Sequence, residues 1–331
     1  MDISYVARYF TLDVLSSIAF GRKFGFMEAN YDMYDYNKVN GEFFAILELV
    51  LNHDFFRKVL TSDFMQNLAA PKLTDKTGVG PLLLFAHNAV KDRVQGQGQE
   101  KKKDMLGFML SKGMDQQQCE VEAFLQILAG SDSTTTVVRS TLYLLAGTPT
   151  AYAKLRAEVD EAEKSGRISS PVIGYREAES LPYLQACIWE GLRVFPPLFG
   201  LKAKVAPAEG DTIKGIYYPR GTQIAICDQA LCRKKEVFGN DADIFRPDRW
   251  IEADKETRAK MQQTVDCIFG TNKWSCLGKH IAMVELNKTY FELFRNFEWA
   301  LADPMRGIDT FAHGVHQQSN MNMIAYPRNA S

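Results

Sequence analysis

Cys276 stands in the run Phe269-Gly270-Thr271-Asn272-Lys273-Trp274-Ser275-Cys276-Leu277-Gly278, between small and glycine residues, with an apolar stretch, Ile281-Ala282-Met283-Val284, on its far side. A lone thiolate held in such a loop can ligate one soft or borderline metal while backbone N–H groups point at its sulfur. That ligand count suits an iron carried in a porphyrin, which takes a single protein ligand on its proximal side. It suits zinc poorly, because a structural zinc site takes four ligands and no CxxC or HxxxH lies nearby. Taken alone, an isolated cysteine is more often a small buried hydrophobe at a loop–helix junction.

Two further constellations carry chemistry. Ala129-Gly130-Ser131-Asp132-Ser133-Thr134-Thr135-Thr136 interrupts a long apolar helical pattern. Glycine costs about 1 kcal/mol there relative to alanine, and Ser and Thr are mediocre helix formers. Gly130 leaves room for something flat or small to approach the backbone. Ser133 or Thr134 can bond back to the i−4 carbonyl and open the helix slightly, and Asp132 supplies a proton source beside that opening. The competing reading is a Ser/Thr-rich turn facing solvent. The second constellation is Glu190-Gly191-Leu192-Arg193, whose acid and base share one helix face amid apolar neighbours, with Arg249 of Phe245-Arg246-Pro247-Asp248-Arg249-Trp250 as a third member. A buried ion pair needs further partners; an exposed helical salt bridge is the commoner meaning of ExxR.

The elements that must position these residues follow from periodicity. Helices are expected over 2–20 (Val6, Tyr9, Phe10, Asp13, Val14 and Ser17 as its stripe), 40–70, 82–94, 104–112, 116–146, 149–164, 181–194 and 277–296. A break runs from Pro71 to Pro81, and 95–103 reads as a solvated linker ending in three lysines. Short β-like runs fill 202–228, an irregular stretch covers 239–268, and strands close the chain near 297–301 and 321–326. The chain of 331 residues is 46% hydrophobic and 24% charged, values of a globular protein with ample length for a core. A net charge of −1 gives no argument for a nucleic-acid partner, and six scattered cysteines fit reduced thiols facing the cytosol. No stretch approaches the ~20 apolar residues of a membrane span, and no leader precedes the helical pattern at Met1.

The order of motifs, Ala129-Gly130-x-Asp132-Ser133-Thr134, then Glu190-x-x-Arg193, then Phe245-x-Pro247-x-Arg249-Trp250, then Phe269-Gly270 through Cys276-x-Gly278, resembles the C-terminal two thirds of a cytochrome P450. Each motif is weak by itself; four in this order are specific, and the resemblance spans essentially all of 1–331. Its flavour is fungal and microsomal, nearest to pisatin-demethylase-like members. The resemblance implies a mainly α fold with a small β region, as a single domain: helical over 1–197, and over 198–331 carrying the strands and the heme-thiolate loop. It further implies that the sequence is cut at its N-terminus, without an anchor, the first helices, most of the larger β-region and one propionate-binding segment.

By the same resemblance the cofactor is heme b, with Cys276 as the iron ligand. Phe269, Gly270, Trp274 and Gly278 belong to its loop, and Ala129 and Gly130 abut its other face. Asp132, Ser133 and Thr134 line the oxygen pocket and relay protons. Glu190, Arg193 and Arg249 form a structural triad. Phe124, Leu128, Leu198, Phe199, Leu201 and Gln318 fall in substrate-contacting segments. The implied reaction inserts one oxygen atom from O2 into an apolar small molecule, in fungal secondary metabolism or detoxification. Electrons come from NADPH through a separate flavoprotein reductase, since the chain has no dinucleotide fingerprint. Lys273, Lys279 and Arg233 are candidate docking cations for that reductase, with solvated surface charge as the alternative. The implied location is the cytosolic face of the endoplasmic reticulum membrane, with membrane association expected of the full-length form only. The runner-up is an inactive heme-binding or heme-less fragment; a third reading is an enzyme of this fold that rearranges or dehydrates. Four positions depart from the family pattern: Asn272 for a glycine, Trp274 for an arginine or histidine that meets a propionate, Ser133 for a threonine, and Cys232 for a histidine. Asn tolerates the left-handed conformation, whereas Trp offers one hydrogen bond and no charge.

Overall fold

The computed structural model describes residues 1–69, 71–77, 79–96, 103–200 and 202–328. Among the described residues, seven α-helices, α1 (Ile3–Phe20), α2 (Phe26–Ala29), α3 (Tyr36–Asn52), α4 (Asp54–Leu60), α5 (Asp63–Ala69), α6 (Val79–Val94) and α7 (Met105–Ser111), lead into the 31-residue α8 (Gln116–Ala146). After it come α9 (Pro149–Lys164), α10 (Tyr175–Glu179) and α11 (Pro182–Val194). Two small antiparallel ladders follow: β1 (Lys204–Val205) pairs with β4 (Gln223–Ile224), and β2 (Asp211–Ile213) with β3 (Ile216–Tyr218). The short helices α12 (Asp228–Leu231), α13 (Lys235–Phe238), α14 (Asp248–Glu252) and α15 (Lys255–Asp266) precede the cysteine loop, and α16 (Lys279–Asn296) leaves it. The chain closes with β5 (Phe297–Leu301) paired to β8 (Met323–Pro327), and β6 (Asp309–His313) paired to β7 (Val315–Ser319) across Gly314.

Capping fixes the two helices that position the site. Asp2 accepts from the Ser4 N–H at 2.9 Å to start α1, and Gly21, left-handed at φ 66°, ends it. At the head of α8, Asp115 accepts from the Gln118 N–H at 2.8 Å while the Gln118 side chain accepts from the Asp115 N–H at 3.0 Å. The start of α1 is tied to the far end of the chain, with Ile3 N–H donating to the Met321 carbonyl at 3.0 Å.

α8 passes through two apolar clusters. Its first half (Cys119, Ala123, Ile127) packs with α1, α6 and α7, including Leu12, Leu82 and Leu106. Its second half (Val137, Val138, Leu142, Leu145) packs with α9, α11 and α16, including Leu155, Leu184 and Phe291. Each Val, Leu, Ile or Phe side chain among them contributes about 1.5–3 kcal/mol on burial. The hydroxyl-rich turn falls between the two clusters, and neither includes any residue from Ala129 to Thr136.

Several expectations change here. The pattern over 40–70 resolves into three helices, broken where His53 turns extended (φ −131°) and again at Thr61. Pro81 lies inside the first turn of α6, where its missing N–H costs nothing, so that helix starts at Val79. Most of the 95–103 linker lies outside the described residues. The β6–β7 hairpin went unread because Val315-His316-Gln317-Gln318-Ser319 has the polarity of a loop, yet all but Ser319 are buried. The stripe expected for α1 is only partly right: Tyr9 and Asp13 are buried, Val6, Phe10 and Val14 are half-buried and Ser17 is exposed, while the inward face further holds Ile3, Ala7, Leu12, Leu15 and Ala19, with Arg8, Thr11 and Asp13 among its polar members. Those three polar residues have partners inside, so polarity does not mark the solvent side of this helix.

Candidate functional site

The cysteine loop is held from its backbone. The Cys276 N–H donates to the Phe269 carbonyl at 2.6 Å, drawing the segment into a closed turn. Gly270 is left-handed (φ 74°), and a Cβ there would run into the Trp274 carbonyl, so glycine is required. Asn272 is also left-handed (φ 52°), the conformation asparagine best tolerates among residues with a side chain. Gly278 is needed for neither reason; a Cβ there would sit 3.8 Å from Cys276 Sγ, and its absence leaves the sulfur's flank bare. Cys276 is free and exposed, so it is not the small buried hydrophobe of the alternative reading. Lys202, from the segment before β1, braces the approach to the loop by donating to the Ile268 carbonyl at 3.1 Å while pairing with Asp228. Trp274 is open on one side and carries Lys204 Nζ at 4.2 Å and Lys273 Nζ at 5.1 Å from its ring centroid.

α8 runs without a break through its hydroxyl-rich turn, which corrects the expectation of an opened helix. The hydroxyls are absorbed by i−4 carbonyls: Ser131 donates to Ile127 at 2.8 Å, Ser133 to Ala129 at 2.7 Å and Thr136 to Asp132 at 3.0 Å. Ala129 is exposed and Ser133 half-buried; Ser133 is the last residue of a partly open stripe before the helix becomes buried throughout 134–142. Gly130 faces elsewhere. A Cβ on it would lie 3.0 Å from Leu15 Cδ2, so its smallness lets α1 approach α8. Asp132 is turned inward to Arg8, whose Nε lies 3.0 Å from Oδ1 as a charge contact off the hydrogen-bond line, while Oδ2 accepts from Asn40 Nδ2 at 2.5 Å. A second buried guanidinium, Arg139, donates to Gln318 Oε1 at 2.6 Å and to the His316 carbonyl at 2.8 Å. Burial and then the Arg8 charge pull Arg139 down to about 9. Several buried atoms around this cluster have no hydrogen-bond partner, among them Tyr36 Oη, Asn37 Nδ2, Asn40 Oδ1 and Gln317 Nε2. An unmet buried group costs about 1–3 kcal/mol.

The structure brings Glu190, Arg193 and Arg249 together. Arg193 donates to both carboxylate oxygens of Glu190 at 2.8 Å, and Arg249 Nε donates to Oε1 at 3.0 Å. Trp250 Nε1 (2.9 Å) and the Arg246 N–H (2.7 Å) complete the set, two donors that the motif alone did not reveal. The remaining guanidinium hydrogens reach carbonyls of Cys232, Ala242, Ile244, Phe238 and Asp241, which pins the segment 232–249 to α11; with α14 and α15 in it, the stretch 239–268 is more helical than the irregular one expected. The pair is buried, not the exposed salt bridge of the bland reading.

The model of the family described as Cytochrome P450 matches residues 1–324. The chain belongs to the cytochrome P450 family. It is 38% identical over 321 residues to "Cytochrome P450 monooxygenase aba1" of Botryotinia fuckeliana, covering 97% of this chain and 63% of that protein. It is 31% identical over 314 residues to "Cytochrome P450 monooxygenase mpaDE" of Penicillium brevicompactum, covering 92% and 36%. This P450 chain thus spans less than two thirds of the length of these curated relatives. Its fold is similar to that of the "cytochrome P450DA heme domain", with a TM-score of 0.76 at 18% identity over 99% of this chain and 68% of that one.

The family implies heme, and the donor set fits it. Cys276 offers one unshared sulfur, and among the described residues no group of three or more His, Cys, Asp or Glu competes for a metal. Lys204 and Lys273 place two positive charges beside the uncharged Trp274 ring, where a carboxylate of such a group would find them. α16 leaves the loop and packs on α8, with Tyr290 donating to the Val137 carbonyl at 2.8 Å, so cysteine loop and hydroxyl-rich helix share one framework.

The other sequence-predicted residues of the P450 chain are dispersed. Phe124 is half-buried and Leu128 buried on α8, about two and a half and one and a half turns before Ser133. Leu198 bridges Val315, and the exposed Phe199 donates its N–H to the Gly314 carbonyl at 2.8 Å, so these two sit at the tip of the β6–β7 hairpin. Leu201 lies outside the described residues. Gln318 is buried with its carbonyl oxygen on Arg139, which gives it a bracing contact behind α8. Of the three docking cations, Lys279 is paired with Asp266 at 2.7 Å and Arg233 donates to the Val194 carbonyl at 2.9 Å; Lys273 keeps its ammonium at an exposed edge. Arg8, Asn40 and Arg139 were missed. The one available signal was arginine set among apolar residues, as in Val137-Val138-Arg139.

Proposed function

We propose that this chain is the heme-thiolate-bearing part of a monooxygenase that inserts one oxygen atom from O2 into a C–H bond of an apolar small molecule, in fungal secondary metabolism or detoxification. The observation that carries the reading is Cys276: free, exposed, and fixed by the Phe269 carbonyl between two glycines in a chain of this family. Heme b, when bound through that sulfur, supplies oxygen activation, and thiolate donation favours O–O cleavage. The protein's own residues supply position and protons. Cys276 and its loop hold the cofactor, with Lys204, Lys273 and Trp274 at a carboxylate edge. Ala129 and Ser133 form the open edge of α8, where Ser133 shares its hydroxyl with the Ala129 carbonyl and can turn to a ligand. Asp132, with Thr134, lies one step behind as the proton reservoir. Phe124, Leu128, Leu198 and Phe199 give the substrate side its apolar character.

Electrons come from NADPH through a separate flavoprotein reductase, for which Lys273 is the one of the three cations considered that has no carboxylate partner among the described residues. Among the described residues no helix is long and apolar enough to cross a membrane; residence at the cytosolic face of the endoplasmic reticulum rests on family resemblance. That the relatives carry monooxygenase names favours this reading over a heme-less fragment. Reduced, CO-treated protein is expected to show the Soret band of a thiolate complex, to lose it in Cys276→Ala, and to transfer labelled oxygen from O2 to product. An unaltered spectrum in that variant defeats the proposal, and product without label points to rearrangement or dehydration.

A further inference from the structure

Two lysines of one short segment reach the cysteine loop. Lys204 Nζ lies 4.2 Å from the Trp274 ring centroid. Lys202, two residues earlier, donates to the Ile268 carbonyl at 3.1 Å and to that of Cys267 at 3.4 Å. The next carbonyl along the chain, that of Phe269, accepts the Cys276 N–H. The Lys202 ammonium therefore holds the peptide adjoining the one that closes the loop. Its counter-charge is Asp228, the first residue of α12, which is buried and whose Oδ1 has no hydrogen-bond partner. Among the described residues no other cation pairs with that carboxylate. The far end of α12 is fixed as well, because the Cys232 carbonyl accepts from Arg193 at 2.9 Å. One end of α12 is thus tied to the Glu190 network and the other to the lead-in of the cysteine loop.

We propose that Lys202 and Asp228 are positioning residues for the Cys276 sulfur: the ammonium clamps the lead-in of the cysteine loop, and the carboxylate cancels its charge. This role rests on the heme-thiolate reading. The clamp acts through geometry. Ile268 and Phe269 carry consecutive carbonyls, so holding the first limits how far the second can turn, and with it the Cys276 N–H. The pair acts through charge. An ammonium left unpaired beside the loop favours the reduced, more negative state of a metal on that sulfur, whereas the paired ammonium leaves the balance to the sulfur itself. Breaking a buried pair at one partner leaves the other charge uncompensated, while neutralising both does not. Loop order and charge balance are therefore separable by substitution.

Two measurements test it. Redox titration of the heme-bound protein reads the charge. Asp228→Asn is expected to raise the midpoint potential, because the unpaired ammonium favours the added electron. The Lys202 side chain is 21% exposed, so its ammonium keeps some hydration in that variant and the fold survives. Adding Lys202→Met removes the charge and should return the potential to that of the unsubstituted protein. An unchanged potential in Asp228→Asn, or a double variant displaced as far as the single one, overturns the charge role. Amide H/D exchange on the full chain as purified reads the clamp without turnover. The Cys276 N–H is expected to exchange about tenfold faster in Lys202→Met, the worth of about one hydrogen bond. Lys202→Arg, which keeps both a donor and a charge, should restore slow exchange. Equal rates in all three proteins overturn the clamp. Absence of a thiolate–CO complex in the unsubstituted protein counts against the heme-thiolate reading alone.

Discussion

Two buried carboxylates, Glu190 and Asp132, each stand on a helix beside arginines, and the fold treats them oppositely. Glu190 receives five hydrogen bonds, from Arg193 (two), Arg249, Trp250 and the Arg246 backbone, and the guanidiniums are satisfied by carbonyls. Asp132 receives one hydrogen bond and one charge contact, and its neighbours keep unmet donors and acceptors. A saturated network has one arrangement and serves as a rivet between α11 and the stretch before the cysteine loop. An unsaturated one retains capacity to exchange with water, which suits a site that must pass protons. The same residue chemistry is thus saturated at one place and unsaturated at the other, and under the proposed function the unsaturated one is the site's acid.

The largest effect should come from breaking the saturated side. Glu190→Gln leaves two buried guanidiniums without their counter-charge and is expected to cost about 3–5 kcal/mol in urea unfolding. Asp132→Asn should cost less than half of that, because its surroundings can rehydrate. Equal losses would remove the contrast between the two networks.

A pH titration sharpens the other side. His316, on β7 beside Arg139, is held at about 4, below the ordinary 6.5, by burial first and then by the charges of Arg139 and Arg233. Below pH 6.5 the unfolded chain takes up a proton that the folded chain refuses. Stability from this group is therefore complete above 6.5 and is lost as the pH falls toward 4, by about 3 kcal/mol in all. His316→Gln should flatten that part of the acid limb relative to the unsubstituted protein, as followed by thermal unfolding between pH 4 and 7. An identical acid limb in the two proteins would show that the imidazole titrates freely.

The two networks were unequally legible in the sequence. Glu190 and Arg193 are one helical turn apart, so helix geometry alone places them together. Arg249 could be named because Phe245 to Trp250 is a compact motif in an otherwise irregular stretch. The Cys276 loop was readable for the same local reason, down to the left-handed Asn272. Arg8 and Asp132 are separated by 124 residues, and Arg139 and Gln318 by 179. No periodicity joins such pairs; only the packing of α1 and β7 onto α8 does. The β6–β7 strands were missed on the same ground, since their polar residues are buried by partners that the linear pattern does not contain. Helix ends, which depend on caps a few residues away, came within two or three residues for α8, α9, α11 and α16.

The smallest predicted effect separates two glycines, one in each network's helix. A Cβ at Gly191 would collide with the buried Thr141 side chain of α8, and no rotation of that short side chain clears it without moving the helices apart. Gly191→Ala should therefore destabilise by about 1–3 kcal/mol, as overpacking does, and should loosen the α8–α11 contact beneath the rivet. A Cβ at Gly130 meets only the tip of Leu15, which can give by rotamer adjustment. The gain in helix propensity, about 1 kcal/mol, should nearly offset that adjustment and leave stability within about 0.5 kcal/mol of the unsubstituted protein. Gly130 also tests the sequence reading that gave it a ligand-facing role. If its smallness serves α1, Gly130→Ala should bind heme with an unchanged spectrum; a shifted Soret band with unchanged stability would return Gly130 to the ligand face.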